Sequence, residues 1–142
     1  MISARECELK RLMDEVEKRE KWLGPHTGTV VKVLDGNTFV LAIDENDPAT
    51  GRRARLTIII ASLECPEKGE SGYDETGYKY NGNGGYKYAT GILKAIILGE
   101  RVKVDISRPI GGWNENRWLA DVTYSGGDLA RAMKRATYGV CK

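Results

Sequence analysis

The sequence predicts a mainly β chain with helices (α+β), built on a five-stranded barrel. Three observations carry that prediction. Between Thr29 and Leu63, three apolar, β-branched runs follow one another with only turn chemistry between them, which is the pattern of a meander. A segment with helical spacing follows, and then two more strand-like runs, Arg101–Ile106 and Arg117–Tyr124. Glycine is abundant, at 17 of 142 residues, and it clusters between these runs rather than within them.

Taken in order, residues 3–23 read as a helix. Ser3 and Glu6 have capping-box spacing, and Leu9, Leu12, Met13, Val16 and Leu23 form one narrow apolar stripe. Gly24 and Pro25 stop it. The stripe predicts either packing on the domain behind it or a homodimer contact. His26 falls in a loop with no visible partner. Thr29–Leu34 reads as the first strand, Asp35-Gly36-Asn37 as a turn, and Thr38–Ile43 as a second strand returning on the first. Asp44 to Arg53 holds Asp47-Pro48 and Gly51 and reads as the next reversal. The third strand runs from about Arg55 to Leu63.

Lys68 to Gly85 contains six glycines and three tyrosines with neither period, and reads as a long mobile loop. Tyr86 to Leu98 reads as a helix with Tyr88, Ala89, Ile92, Ala95 and Ile96 toward the core and Gly99 at its end. Pro109 to Asn116 is a loop. Asp128 caps a last helix that runs to Tyr138. Five strands with a helix between the third and fourth is the order of a five-stranded Greek-key barrel, the OB-fold, here with three helices. The division expected is an N-terminal helix over residues 1–25 and a barrel domain over residues 26–142.

Composition bounds the function classes loosely. Apolar content of 41% and charged content of 30% read as a soluble globular chain, and a formal charge of +2 neither demands nor excludes nucleic acid. Cys7, Cys65 and Cys141 are odd in number and scattered, so neither a disulfide framework nor a zinc site is indicated. That pattern, with no apolar run of signal-peptide or membrane-spanning length, predicts no membrane partner and a cytoplasmic protein, the alternative being a secreted form whose leader has been removed.

Candidate chemistry centres on Ile58-Ile59-Ile60-Ala61-Ser62-Leu63-Glu64-Cys65-Pro66-Glu67. A buried strand ends here in two carboxylates around a proline, which stiffens the exit and biases Cys65 toward extended backbone. Carboxylates held on a rigid strand end suit a hard cation or a general base.

These residues, with two other motifs, resemble the staphylococcal nuclease (thermonuclease-like) family. Val33-Leu34-Asp35-Gly36-Asn37-Thr38 is similar to its Asp-Gly-Asp-Thr turn, Leu63–Glu67 to its Ile-Asp-x-Pro-Glu strand end, and Asn116-Arg117-Trp118-Leu119-Ala120 to its Gly-Arg-x-Leu-Ala strand start. Leu129 to Gly139 resembles its last helix, and the match spans about Gly28 to Gly139. The resemblance implies a calcium-dependent phosphodiesterase acting on DNA and RNA. Carried over, the metal ligands are Asn37, Glu64 and the carbonyl of Cys65, and the catalytic residues are Glu67 and Arg117.

Three positions depart from the family pattern. Asn37 replaces an aspartate and lowers the charge around a cation. Glu64 replaces an aspartate with one more methylene. Ile59 replaces an arginine, and losing a donor of that kind costs about 10²–10³ in rate. Arg55, Tyr86 and Trp113 are the candidate substrate contacts. Arg55 lies four residues before Ile59, some 13 Å along the strand at roughly 3.3 Å per residue. Two readings stay open. One is a nuclease with a modified site. The other is an inactive OB-fold module that binds a protein partner or single-stranded nucleic acid, with bases stacked on Tyr73, Tyr78, Tyr80, Tyr86, Trp113 or Trp118. In that second reading Arg131, Lys134 and Arg135 of the last helix are candidates to track a phosphate backbone.

Overall fold

The computed structural model describes residues 3–10, 12, 21–48, 50–111 and 115–142. Among these residues, eight strands and three helices make a mainly β chain. Residues 4–10 are helical (α1), as is Leu12. The strands are β1 (Gly24–Asp35), β2 (Thr38–Asn46), β3 (Arg53–Ile60), β4 (Gly72–Tyr73), β5 (Lys79–Tyr80), β6 (Arg101–Pro109), β7 (Arg117–Tyr124) and β8 (Gly127–Asp128). Helix α2 (Asn83–Ile97) lies between β5 and β6, and α3 (Leu129–Ala136) follows β8.

Five of the strands close a barrel. β1 pairs antiparallel with both β2 and β6, β2 with β3, and β6 with β7. The ring shuts through a parallel pairing of β3 with β7, from Thr57↔Arg117 to Ile60↔Ala120. This mixed, closed barrel has the strand order expected of an OB-like fold. Alternation drives it. On β6, Val102, Val104 and Ile106 point inward and Arg101, Lys103 and Asp105 outward. On β3, Ala54, Leu56, Ile58 and Ile60 are buried. Phe39, Leu41 and Ile43 meet them from β2, and Trp118, Ala120 and Val122 from β7. At the far end of β2, Asp44 accepts from Arg101 and Arg53, tying β6 and β3 to it. The Arg101 contact first, and then that of Arg53, holds the Asp44 carboxyl below its usual range.

The structure revises several elements. β1 begins at Gly24, not Thr29, and pairs with β6 from Gly24↔Ile106 onward. His26 therefore lies in a strand with both ring nitrogens engaged, at 2.7 Å from Glu45 Oε1 and 2.9 Å from the Trp22 carbonyl. Trp22 itself joins the core at 7% exposure. The buried stripe of α2 is Gly85, Ala89, Leu93 and Ile97, while Tyr88 and Ala95 are exposed. The difference is one of phase, since Ile92 and Ile96 flank the true seam. The segment from Lys68 is not a featureless loop. It carries the β4–β5 hairpin, and α2 starts within it at Asn83. Asp128 does cap α3, accepting from the Arg131 N–H at 3.0 Å.

Ser3 accepts from the Glu6 N–H at 3.2 Å, as capping-box spacing anticipates. Packing of α1 on the barrel is not seen over its described residues, where Leu9 is 54% and Leu12 47% exposed. Met13 and Val16 of the expected stripe lie outside the described residues. The contrast gives a direct expectation. Trp22→Ala should lower the unfolding free energy by about 3–5 kcal/mol, as large aromatic truncations in a core do. Leu9→Ser with Leu12→Ser should stay within roughly 0.5 kcal/mol of wild type. Urea melts of both variants test this.

Candidate functional site

The exit of β3 is where the fold gathers its polar chemistry. The strand stops at Ile60, and the chain bends at Ser62, which adopts a left-handed φ of 62°. The Ile60 N–H donates to the Asn37 carbonyl at 2.8 Å, so the β1–β2 turn sits directly beside this exit. The side chain of Asn37 is engaged there at both ends. Its Nδ2 donates to the Leu63 carbonyl at 3.2 Å, and its Oδ1 accepts from the Thr38 hydroxyl at 3.1 Å.

The next residues are clamped from a second direction. The Glu64 N–H donates to the Lys142 carbonyl, and the Lys142 N–H donates back to the Glu64 carbonyl, both at 2.7 Å. Beside this pair, Cys65 and Cys141 form a disulfide across a sequence separation of 76. The expectation that the cysteines form no disulfide is thereby corrected, and only Cys7 is free. Cysteine spacing no longer argues for a reducing compartment. Gly36 shows how tight the corner is. A Cβ there would lie 2.7 Å from Ala89 Cβ and 2.8 Å from Cys65 Cβ. Turn, helix, strand exit and C-terminal segment thus share one contact point.

The predicted residues divide by position. Asn37, Glu64 and Cys65 are brought together at this corner. Glu67 follows on the same segment and is exposed; its N–H donates to Glu70 Oε2 at 3.3 Å. Tyr86 closes the corner from α2, donating its hydroxyl to the Leu34 carbonyl at 3.0 Å with Lys68 Nζ 5.5 Å over its ring. Arg117 lies elsewhere on the ladder. It pairs with Thr57, three residues and about 10 Å before the end of β3. Its guanidinium faces Glu115 at 3.6 Å, with both side chains 46% exposed. Ile59 is half-buried on the outer face, between Thr38 on β2 and Leu119 on β7. Arg55 is exposed on the same strand, and its carbonyl accepts from Asn116 Nδ2 at 2.7 Å. Trp113 lies outside the described residues. Trp118 is corrected as a stacking candidate, since it is 3% exposed within the core.

The fit of this corner to calcium can be judged from its donors. Calcium takes six to eight oxygens. Both ends of the Asn37 amide are already bonded to protein. Among the described residues, no three His, Cys, Asp or Glu side chains converge on a metal-sized centre. Asn37 thus offers a cation one neutral oxygen, shared with the Thr38 hydroxyl, where the resemblance implies a carboxylate. Sequence reasoning missed the clamp by Cys141 and Lys142. The available signal was a cysteine placed shortly after a helix whose end must return to the barrel.

The chain matches no protein-family model and no curated protein. Among the described residues, no helix is long and apolar enough to cross a membrane.

Two outcomes follow from this geometry. Reducing the disulfide should lower the unfolding free energy by roughly 4 kcal/mol, the entropy cost of a loop of this length, read as a lower denaturant midpoint in dithiothreitol. Asn37→Asp should cost about 1–3 kcal/mol, because a carboxylate then faces the Leu63 carbonyl where a donor stood. Asn37→Ser, which can still donate, should cost less in the same melts.

Proposed function

We propose that this chain is a thermonuclease-like barrel that binds single-stranded nucleic acid and cuts it poorly or not at all. The observation that carries the reading is the Asn37 amide. The family resemblance implies an ion between the first hairpin and the strand exit. This chain has a hydrogen bond there, from Asn37 Nδ2 to the Leu63 carbonyl. A carboxylate could not make it, and the amide making it brings to any cation only a neutral Oδ1 that already accepts from the Thr38 hydroxyl.

The phosphate-binding side supports the same reading. Ile59 stands where the resemblance implies an arginine, and a half-buried aliphatic side chain offers a phosphate no donor. Arg117 remains, exposed and facing Glu115, with Arg55 on the neighbouring strand. Two exposed guanidinium groups on adjacent strands suit a phosphate backbone, without the paired clamp that phosphoryl transfer needs. Hydrolysis through Glu67 and Arg117 is the competing reading. Glu67 is exposed and its segment is held rigid by Pro66 and the disulfide, so a base would be in place.

The deciding experiment measures cleavage and binding together on single-stranded DNA and RNA. Wild type, Glu67→Gln and a chelator control are compared with excess calcium, and binding is followed by fluorescence anisotropy across salt. We expect binding that weakens steeply as salt rises, and no cleavage above the Glu67→Gln background. Cleavage lost both to the chelator and in Glu67→Gln would overturn the binding reading in favour of an enzyme. Absence of both binding and cleavage would overturn it outright.

A further inference from the structure

A cavity of about 450 Å³ opens between the β4–β5 hairpin, the first turn of α2 and the C-terminal segment. Tyr78, Tyr80 and Tyr88 line it together with Asp74, Lys79 and Asn81. None of Asn37, Glu64, Glu67 or Arg117 does, so it is separate from the corner described above. Its volume falls in the range of small-molecule sites, about 300–1,000 Å³.

Two of the three aromatic walls are held in place by the fold. The Tyr80 ring lies where side chains would otherwise be. A Cβ on Gly72 would meet its hydroxyl at 2.4 Å, and a Cβ on Gly85 would meet its ring at 2.5 Å. Glycine at both positions leaves room for the ring close to two backbones. Tyr88 is fixed at its far end, where its hydroxyl donates to the Ala136 carbonyl at 3.3 Å and joins α2 to α3. Tyr78 is the open wall, 75% exposed, with its backbone N–H tied to Asp74.

The polar groups are equally specific. Asp74 Oδ1 accepts from the Thr76 N–H, the Thr76 hydroxyl and the Tyr78 N–H, at 2.8, 2.6 and 2.9 Å. These bonds, the Thr76 hydroxyl foremost, hold the carboxyl below its usual range, so it is ionised. Its Oδ2 takes part in none of the three. An anionic acceptor repels phosphate but accepts from the N–H edge of a base. Lys79 supplies the cation among the lining residues.

We propose that this cavity seats a single nucleobase of a bound strand, between the fixed rings of Tyr80 and Tyr88 and the exposed ring of Tyr78. The inference rests on the reading of the chain as a nucleic-acid binder and names where that binder holds a base. Tyrosine faces stack on any base, Asp74 and Asn81 meet the base edge, and Lys79 meets the adjoining phosphate at the mouth. The site is therefore tolerant of sequence.

The test uses the 142-residue, disulfide-bonded chain and oligouridylate carrying 5-iodouracil. Photocrosslinks are mapped by mass spectrometry, and anisotropy is measured for wild type, Tyr78→Ala, Tyr88→Ala and the exposed, non-lining Tyr138→Ala. Thermal melts confirm that each variant is folded. We expect crosslinks at Tyr78 or Tyr80, affinity down about tenfold in Tyr78→Ala, and little change in Tyr138→Ala. Binding with crosslinks elsewhere and an unaffected Tyr78→Ala would overturn the base seat while leaving nucleic-acid binding intact. No binding by wild type would remove both. Binding of a tyrosine- or tryptophan-containing peptide in place of the oligonucleotide, lost in Tyr78→Ala, would also overturn it, reassigning the cavity to a protein partner.

Discussion

The parallel pairing of β3 with β7 is the constraint on which the rest depends. Without it the five long strands form an open sheet with β3 and β7 as edges. With it, Ile58 and Trp118 stand at one level of a closed interior, and Ile60 is level with Ala120. Closure also fixes where β3 must end. Past Ile60 the ladder continues by one bond, from the Ala61 N–H to the Ala120 carbonyl. The chain then turns out of the barrel, and Ser62 makes that turn in a left-handed conformation.

What the exit meets is a set of tethers made by the protein itself. The Asn37 amide holds the carbonyl of Leu63, Lys142 brackets the backbone of Glu64, and Cys141 is bonded to Cys65. Three successive residues are fixed, the first by the β1–β2 turn and the next two by the C-terminal segment. Rigidity at a strand end serves catalysis when it aims carboxylates at an ion, and serves architecture when it docks a C-terminus. Here one tether comes from the β1–β2 turn and two from residues 141–142.

Local signals in the sequence are legible where one face is buried and the other wet. β6 and β7 alternate cleanly, and the Arg117–Tyr124 bounds follow from that alternation. The Asp128 cap is legible for a similar reason, since its donor lies only three residues away. Features set by distant partners are not. Gly24 and Pro25 look like a helix stop, yet they are the first residues of a strand because β6 runs alongside. The phase of α2 is misread because its seam, from Gly85 through Ala89 and Leu93 to Ile97, includes a glycine that carries no hydrophobic signal. That glycine is buried because Tyr80 and Pro66 press on it. The disulfide joins residues 76 apart, and no spacing rule reaches that far. At the candidate site, residue types and the strand end are visible in the sequence. Whether the Asn37 amide faces a cation or a carbonyl is decided by tertiary structure alone.

The measurement closest to the central claim is thermal unfolding of the oxidised wild-type chain with and without millimolar calcium, at matched ionic strength. An ion bound only to the folded state must raise the melting temperature, by the equivalent of about 2.7 kcal/mol at a hundredfold excess over its dissociation constant. If Asn37 holds Leu63 in place of an ion, the two melts superimpose. A calcium-dependent rise that disappears in Glu64→Gln would mean that the corner opens to take the ion, and would contradict a strand exit tethered by protein alone.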